Sequence, residues 1–157
     1  MKIGIVITSF NNEETLEKAI RSTALLRKNN KTYIVLVDDS STDSSIKIAK
    51  LAKEKKQIDF IHVNKRNLGI SKCRNIGIKL SKKTDYLTFL DGDDYINPKI
   101  NKIVNNKTYG DLIAFNFNYL YKDKIVKNYF YNSDKKLSTD YIKKYFYNYL
   151  EKPNKNS

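Results

Sequence analysis

The chain holds one cysteine, Cys73, and one histidine, His62, among 157 residues. A lone thiol cannot close an internal disulfide, which agrees with a reducing compartment. One imidazole and one thiolate are also too few for a zinc cage, so oxygen ligands, and with them Mg²⁺ or Mn²⁺, are the metal chemistry open to this chain. Long hydrophobic runs are missing too: no apolar stretch approaches the ~20 residues that span a bilayer. The N-terminus, Met1-Lys2-Ile3-Gly4-Ile5-Val6-Ile7, lacks the small-residue cleavage site of a signal peptide. The expectation is a cytoplasmic protein. Arginine is scarce, with only 4 among the 30 basic residues. A net charge of +13 would ordinarily suggest a nucleic-acid partner, but scattered lysines among Asn, Ile and Tyr read as a solvated surface rather than an arginine-rich stripe. Nucleic acid is therefore not expected, whereas a peripheral contact with an anionic membrane surface stays open.

What is present suffices for a core. With 40% hydrophobic residues the chain is long enough for one domain and too short for two ordinary ones. That domain is expected over 1–150, with a core at 1–105, a variable part at 106–150 and a tail at 151–157.

Apolar segments alternate with helical patterns. Ile3 to Thr8 is nearly continuous apolar sequence, the pattern of a strand covered on both faces of a parallel sheet. Asn11 or Asn12 can cap a helix on which Leu16, Ala19, Ile20, Thr23 and Ala24 recur at helical spacing. Thr32 to Val37 is a second strand, and 38–43 offers caps for a helix carrying Ile46, Ala49 and Ala52. Ile58 to Val63 is a third, followed by a helix presenting Cys73, Ile76, Gly77 and Leu80. Tyr86 to Leu90 is a fourth, after which Asn97-Pro98 reads as cap and first helical residue, with Ile100, Ile103 and Val104 facing inward. Beyond residue 110, alternating Ile113, Phe115, Phe117, Tyr119 and Tyr121 and the run from Ile125 to Tyr131 predict a β-hairpin. Ser138-Thr139-Asp140 then caps a final helix. The whole is an α/β fold: a doubly wound, mostly parallel sheet with helices on both faces, plus a C-terminal hairpin and helix.

In such a sheet ligands bind outside the carboxyl ends of the strands, and the polar residues obey that rule. Thr8-Ser9-Phe10-Asn11 follows the first strand, Asp38-Asp39 the second, Asn67-Leu68-Gly69 the third, and Asp91-Gly92-Asp93-Asp94 the fourth. Three carboxylates in four residues repel one another unless a cation or solvent screens them. The competing reading is an acidic turn in which Gly92 supplies a positive φ. Asp38 or Asp39 can accept from a ribose hydroxyl or a base N–H, or can simply cap a helix. Arg74, with Asn75 near the start of the third helix, stands where an anion would meet donors and the helix dipole. Together these groups describe a site for a metal-bound nucleoside diphosphate.

The order Ile5-Val6-Ile7-Thr8-Ser9-Phe10-Asn11, then Val37-Asp38-Asp39-Ser40-Ser41-Thr42-Asp43, then residues 67–77 with Arg74-Asn75-Ile76-Gly77, then Leu90-Asp91-Gly92-Asp93-Asp94, resembles the family 2 glycosyltransferases over residues 3 to about 100. Residues 111–150 are similar to the variable middle of bacterial surface-polysaccharide members. The resemblance implies a Rossmann-like A-type glycosyltransferase fold, a nucleotide-sugar donor, commonly a UDP-sugar, a saccharide or lipid-linked acceptor, and inversion at the anomeric carbon. It implies that Thr8, Ser9, Asp39 and Asp38 hold base and ribose, that Arg74 lies near the phosphates or sugar, that Asp91 touches ribose or a metal-bound water, and that Asp93 ligates Mn²⁺ or Mg²⁺. It also implies a general base well downstream. None of Asp111, Asp123, Asp134, Asp140 and Glu151 falls in a matching context, so no catalytic residue is named. The alternatives are a weak, truncated nucleotide-sugar binding module and, from the Asp38-Asp39 pair, a phosphoacceptor receiver domain.

Overall fold

The computed structural model describes residues 2–27, 31–81, 83–97, 100, 118–121 and 124–127. The chain divides into two compact units, Met1–Asn106 and Lys107–Ser157. In the first unit β1 (Lys2–Ser9), α1 (Leu16–Arg27), β2 (Lys31–Asp38), α2 (Ser45–Glu54), β3 (Phe60–Val63), α3 (Ile70–Leu80) and β4 (Tyr86–Asp91) follow one another. Their four strands form a parallel sheet in the order β3-β2-β1-β4. This is the doubly wound arrangement expected.

Alternation along the strands sorts the core into two layers. Ile3, Ile5 and Ile7 of β1, Ile34 and Leu36 of β2 and Leu90 of β4 point to one face, where Leu16, Ala19, Ile20 and Leu26 of α1 and Ala49 and Ala52 of α2 cover them. Val6, Val35 and Val37 point to the other, against Cys73 of α3, with Ile76, Leu80 and Leu87 packed around them. Helices therefore lie on both faces. Burying two such layers at about 25 cal/mol per Å² of apolar surface is the main stabilising contribution.

Two glycines bring elements together at close range. A Cβ on Gly77 would stand 2.2 Å from Cγ1 of Val6, so only glycine lets α3 settle onto β1. A Cβ on Gly92 would stand 2.5 Å from Asn12 Oδ1 and 3.1 Å from the Thr8 carbonyl. The competing reading gave Gly92 a positive φ, but among the described residues the glycine in that region of backbone space is Gly69, at φ 85°. Gly92 is required for space, not for conformation.

Other local expectations are corrected. The third strand starts at Phe60; Ile58 is buried ahead of it, and the Asp59 carboxylate accepts from the Ile34 amide at 2.7 Å and from Arg27. Neither asparagine side chain caps α1. Asn12 Oδ1 turns back to the Phe10 amide at 2.9 Å, and Asn11 Oδ1 accepts from the Thr42 amide at 2.8 Å. In α2, Asp43 Oδ1 accepts from the Ser45 amide at 2.9 Å, while the residue at the cap itself, Ser44, makes no side-chain cap bond. On that helix Ile48, rather than Ile46, packs against the core beside Ala49 and Ala52.

In the second unit β5 (Asn118–Tyr121) pairs antiparallel with β6 (Lys124–Lys127). These are parts of the expected hairpin. Ile103, Val104, the outer ends of the hairpin and the C-terminal helix lie outside the described residues. Among the described residues no helix is long and apolar enough to cross a membrane.

Candidate active site at the strand ends

Register alone assembles the rim. Thr8 pairs with Asp91 across β1 and β4, and Ser9 pairs with Asp38 across β1 and β2. The ladder runs one residue past the strands: the Asp39 amide donates to the Ser9 carbonyl at 2.8 Å, the Asn64 amide to the Asp38 carbonyl at 2.9 Å and the Gly92 amide to the Thr8 carbonyl at 2.8 Å. The chain passes from β3 back across to β4, on the far side of β1, so the crevice beside β1 is the point at which strand order reverses. Open α/β sheets bind ligands there.

Thr8 and Asp91 share the parity of Val6 and Leu87, and so face α3. Thr8 Oγ1 donates to Asp91 Oδ1 at 2.8 Å, and one guanidinium nitrogen of Arg74 reaches Oδ1 at 3.0 Å and Oδ2 at 3.1 Å. The guanidinium also lies 5.6 Å from the centre of the Phe89 ring. Both partners of the ion pair are more than a third exposed, so it contributes at most about 1 kcal/mol to stability. Arg74 is the fifth residue of α3 and acts through its side chain. At the head of the helix itself the amides already have an anion. The Leu68 and Gly69 amides donate to Asp39 Oδ1 and Oδ2 at 2.8 Å each, so the anion at the head of α3 is a side chain of the protein itself.

Asp39 is 5% exposed. Burial pushes its carboxyl pKa up, but hydrogen bonds from Leu68, Asn64, Gly69 and Cys73 outweigh this and hold it below the ordinary aspartate value of 3.8. Burial and the neighbouring Asp39 push the Cys73 thiol up to about 11, so it stays protonated and is no nucleophile. Asp38 is fully buried, with Oδ1 accepting from the Ser41 amide at 2.8 Å and Oδ2 from the Ser41 hydroxyl at 2.6 Å. It was expected among the nucleotide ligands; burial and Ser41 make it an anchor of the loop instead. Ser9 is 3% exposed, and its hydroxyl has no hydrogen-bond partner among the described residues; nor does the buried Nε of Arg74.

The acidic turn is held to α1. The Thr15 hydroxyl donates to the Gly92 carbonyl at 2.9 Å, the Ile96 amide donates to the Ser22 hydroxyl at 3.0 Å, and the Lys18 ammonium lies 4.2 Å from the Tyr95 ring centre. Asp93 is exposed and lines a cleft of about 460 Å³ with Asn11, Asn12, Glu13, Thr42 and Asp43. The structure thus gathers Thr8, Arg74 and Asp91 into one hydrogen-bonded group and joins Ser9 to Asp39 through the backbone. It sets Asp93 in a cleft that Asp39 and Arg74 do not line. Burial, then the charges of Asp93 and Asp91, raise the Asp94 carboxyl above 3.8, a record of repulsion that a cation would relieve. Among the described residues no three His, Cys, Asp or Glu side chains form a cation cage. The exposed carboxylate of Asp93 suits an ion which takes one or two carboxylates and completes its shell with phosphate oxygens and water.

The residues 10–15 and 40–45 loops are stitched together, which sequence reasoning missed. The Asn11 amide donates to the Ser41 hydroxyl at 2.9 Å, the Asn12 amide to the Ser45 hydroxyl at 2.8 Å, the Glu13 amide to Asp43 Oδ2 at 2.9 Å and the Ser44 amide to Glu13 Oε2 at 2.9 Å. Asn11 and Ser40 sit at φ 52° and 69° to allow it. Asn64 was missed as well; its signal was a polar residue immediately after a strand.

The depressed carboxyl of Asp39 predicts acid sensitivity. Its folded pKa lies below its unfolded one, so its contribution is complete above about pH 3.8 and is lost as pH falls through the folded pKa. Melting temperature measured from pH 6 to 2 is expected to fall steeply below pH 4, and less steeply in Asp39→Asn. Equal slopes would refute the assignment.

The family model of glycosyl transferase family 2 matches residues 4–156. Among curated proteins, an uncharacterized glycosyltransferase of Haemophilus influenzae is 34% identical over 122 residues, covering 77% of this chain and 48% of that protein. The poly(ribitol-phosphate) beta-N-acetylglucosaminyltransferase TarP of Staphylococcus aureus is 30% identical over 99 residues, covering 62% of this chain and 30% of that protein. Among solved structures, S. aureus TarS in complex with UDP-GlcNAc superposes with a TM-score of 0.57 at 27% identity, over 66% of this chain and 30% of that chain. The chain spans half or less of the length of these relatives. With the A-type fold, the rim carboxylates and a family model that matches nearly end to end, this chain belongs to glycosyl transferase family 2.

Proposed function

We propose that the chain binds a nucleoside diphosphate sugar, a UDP-sugar, at the β1/β4 crevice and passes the sugar to a saccharide or lipid-linked acceptor of a surface polysaccharide, with inversion. The observation that carries this reading is the convergence of Thr8, Arg74 and Asp91 at the reversal point of the sheet, beside an ionised Asp39 and an acidic turn. The UDP-GlcNAc held by the TarS neighbour and the poly(ribitol-phosphate) substrate in the name of TarP support it.

In this reading Asp39, Thr8 and Ser9 meet base and ribose. The unpartnered Ser9 hydroxyl and Arg74 Nε are donors left over for a ligand. Arg74 moves from Asp91 toward the diphosphate, to which a planar guanidinium can donate twice. Asp93, together with Asp91, would hold Mn²⁺ or Mg²⁺. Bound there, the ion supplies Lewis-acid neutralisation of charge on the departing diphosphate. The acceptor hydroxyl attacks the anomeric carbon from the face opposite the bond to phosphate, giving up its proton to solvent or to a base that is not among these residues; the bond to phosphate breaks, and its electron pair leaves with the nucleoside diphosphate. Cytoplasmic placement, next to the pool of activated sugars, belongs to the same proposal.

A thermal-shift panel of UDP, GDP, CDP and ADP with and without Mn²⁺ tests the reading, since a ligand of the native state raises its apparent stability. A shift with UDP that needs Mn²⁺ is expected, followed by release of UDP from a UDP-sugar in the presence of a glycan acceptor. No shift with any nucleotide would overturn it; a shift without turnover would leave a binding module. Arg74→Ala is expected to weaken UDP about tenfold in titration calorimetry, the loss of a charge-assisted pair, while changing stability by less than about 1 kcal/mol.

A further inference from the structure

Three nitrogen donors hold Asp39, and they leave capacity on one of its oxygens. Oδ1 accepts from Asn64 Nδ2 at 2.7 Å and from the Leu68 amide at 2.8 Å, whereas Oδ2 accepts from the Gly69 amide at 2.8 Å, with the Cys73 thiol a further and weaker donor to the carboxylate. A carboxylate offers about four acceptor positions, two on each oxygen, so the position that the nitrogen donors leave is on Oδ2. Two of the three donors are backbone groups that would hold any carboxylate at the head of α3. The third belongs to Asn64, which is 5% exposed.

The Asn64 amide group is itself fixed at every atom. Its backbone N–H continues the β2/β3 ladder to the Asp38 carbonyl at 2.9 Å. Its Nδ2 gives one proton to Asp39 and the other to Cys73 Sγ at 3.3 Å, and its Oδ1 faces His62 Nε2 at 3.1 Å. A flipped amide would set its oxygen against the Asp39 carboxylate, so this orientation is selected at the Asp39 end.

We propose that Asn64 is a positioning residue: by occupying Oδ1 of Asp39 it turns the free acceptor position of Oδ2 to the nucleotide and keeps the carboxylate an acceptor. What Asp39 meets rests on the nucleotide-sugar reading; the contact between Asn64 and Asp39 does not.

Asn64→Asp is nearly isosteric and replaces the donor with an oxygen that carries a proton only at lower pH. Facing this pair are His62 from β3, Asp38 at the end of β2 and Cys73 from α3. Asp39 and the introduced carboxyl, side by side, would share one proton as a coupled pair. Titration with Mn²⁺ and UDP is expected to show affinity in the parent protein that varies little from pH 8 to 5.5. In Asn64→Asp it is expected to be about 10–100-fold weaker at pH 8, the range for a hydrogen bond to a charged group, and to recover toward pH 5.5 as the shared proton restores the donor. Asn64→Leu, which has no donor at any pH, is expected to be weak throughout. Parent-like affinity of Asn64→Asp at pH 8 would overturn the proposal.

A second measurement needs no nucleotide. Carbon-13 titration of the Asp39 carboxyl is expected to give a higher pKa in Asn64→Leu than in the parent. An unchanged value would overturn the positioning role, whatever UDP does. A raised value in a protein that binds no nucleotide would count against the nucleotide-sugar reading alone.

Discussion

Replacing Asp93 with alanine is expected to abolish the part of UDP binding that depends on Mn²⁺ and to lower sugar transfer by roughly 10²–10³-fold, the cost of losing one charge-stabilising group from a transfer site. The fold should not notice. Asp93 is exposed, and surface substitutions of that kind change stability by about 0.5 kcal/mol or less. Removing one of three crowded carboxylates also relieves Asp94, whose raised pKa arises from burial first and then from Asp93 and Asp91. A variant that melts with or slightly above the parent, yet no longer responds to Mn²⁺, separates a ligand role from a structural one. Unchanged Mn²⁺-dependent affinity would remove Asp93 from the site. The same measurement on Asp94→Ala identifies which neighbour the ion uses.

Gly77→Ala is expected to show the largest loss of stability. The added methyl meets Cγ1 and Cγ2 of Val6 at 2.2 and 2.7 Å. Val6 is fully buried and β-branched, so it has no free rotamer into which to retreat. Overpacking of this kind costs about 1–3 kcal/mol, which exceeds the ~1 kcal/mol that alanine gains over glycine in a helix. A fall in melting temperature of roughly 5–10 °C is expected for a unit of this size. Chemical denaturation of Gly77→Ala in the parent and in a Val6→Ala background checks the cause. If the collision is responsible, the glycine substitution costs at least about 1 kcal/mol less once Val6 is trimmed. Equal costs in the two backgrounds would place the strain elsewhere.

The sheet was legible because its strands are buried on both faces. Ile3 to Thr8 and Thr32 to Val37 read as unbroken apolar runs, and the structure extends each by only a residue or two at its ends. Strand ends were legible for the same reason: a polar residue directly after such a run must lie on the rim. What could not be read were side-chain destinations. Asp38 and Asp39 are neighbours of identical chemistry, and nothing local says that one turns inward to Ser41 while the other crosses to the head of α3. Asn11 and Asn12 fit helix caps by type, yet nearby donors at Thr42 and Phe10 compete for their oxygens and prevail. For Gly92 the competing reading named conformational freedom where the structure needs the lack of a Cβ, and the two leave the same letter in a sequence. The cleft beside Asp93 is built by loops thirty residues apart, and no spacing rule reaches that far.

The lacing between the two loops has a bearing on how new donor preferences could arise. Most of its bonds join a backbone amide to a side chain on the opposite loop, so a change at Asn11, Ser41 or Ser45 strands an amide across the gap. Drift there is constrained at each side chain that takes an amide, whereas Lys65, Arg66 and Asn67 stand exposed on the loop before α3 and can vary singly. Libraries that vary this rim should therefore leave 11–13 and 41–45 intact.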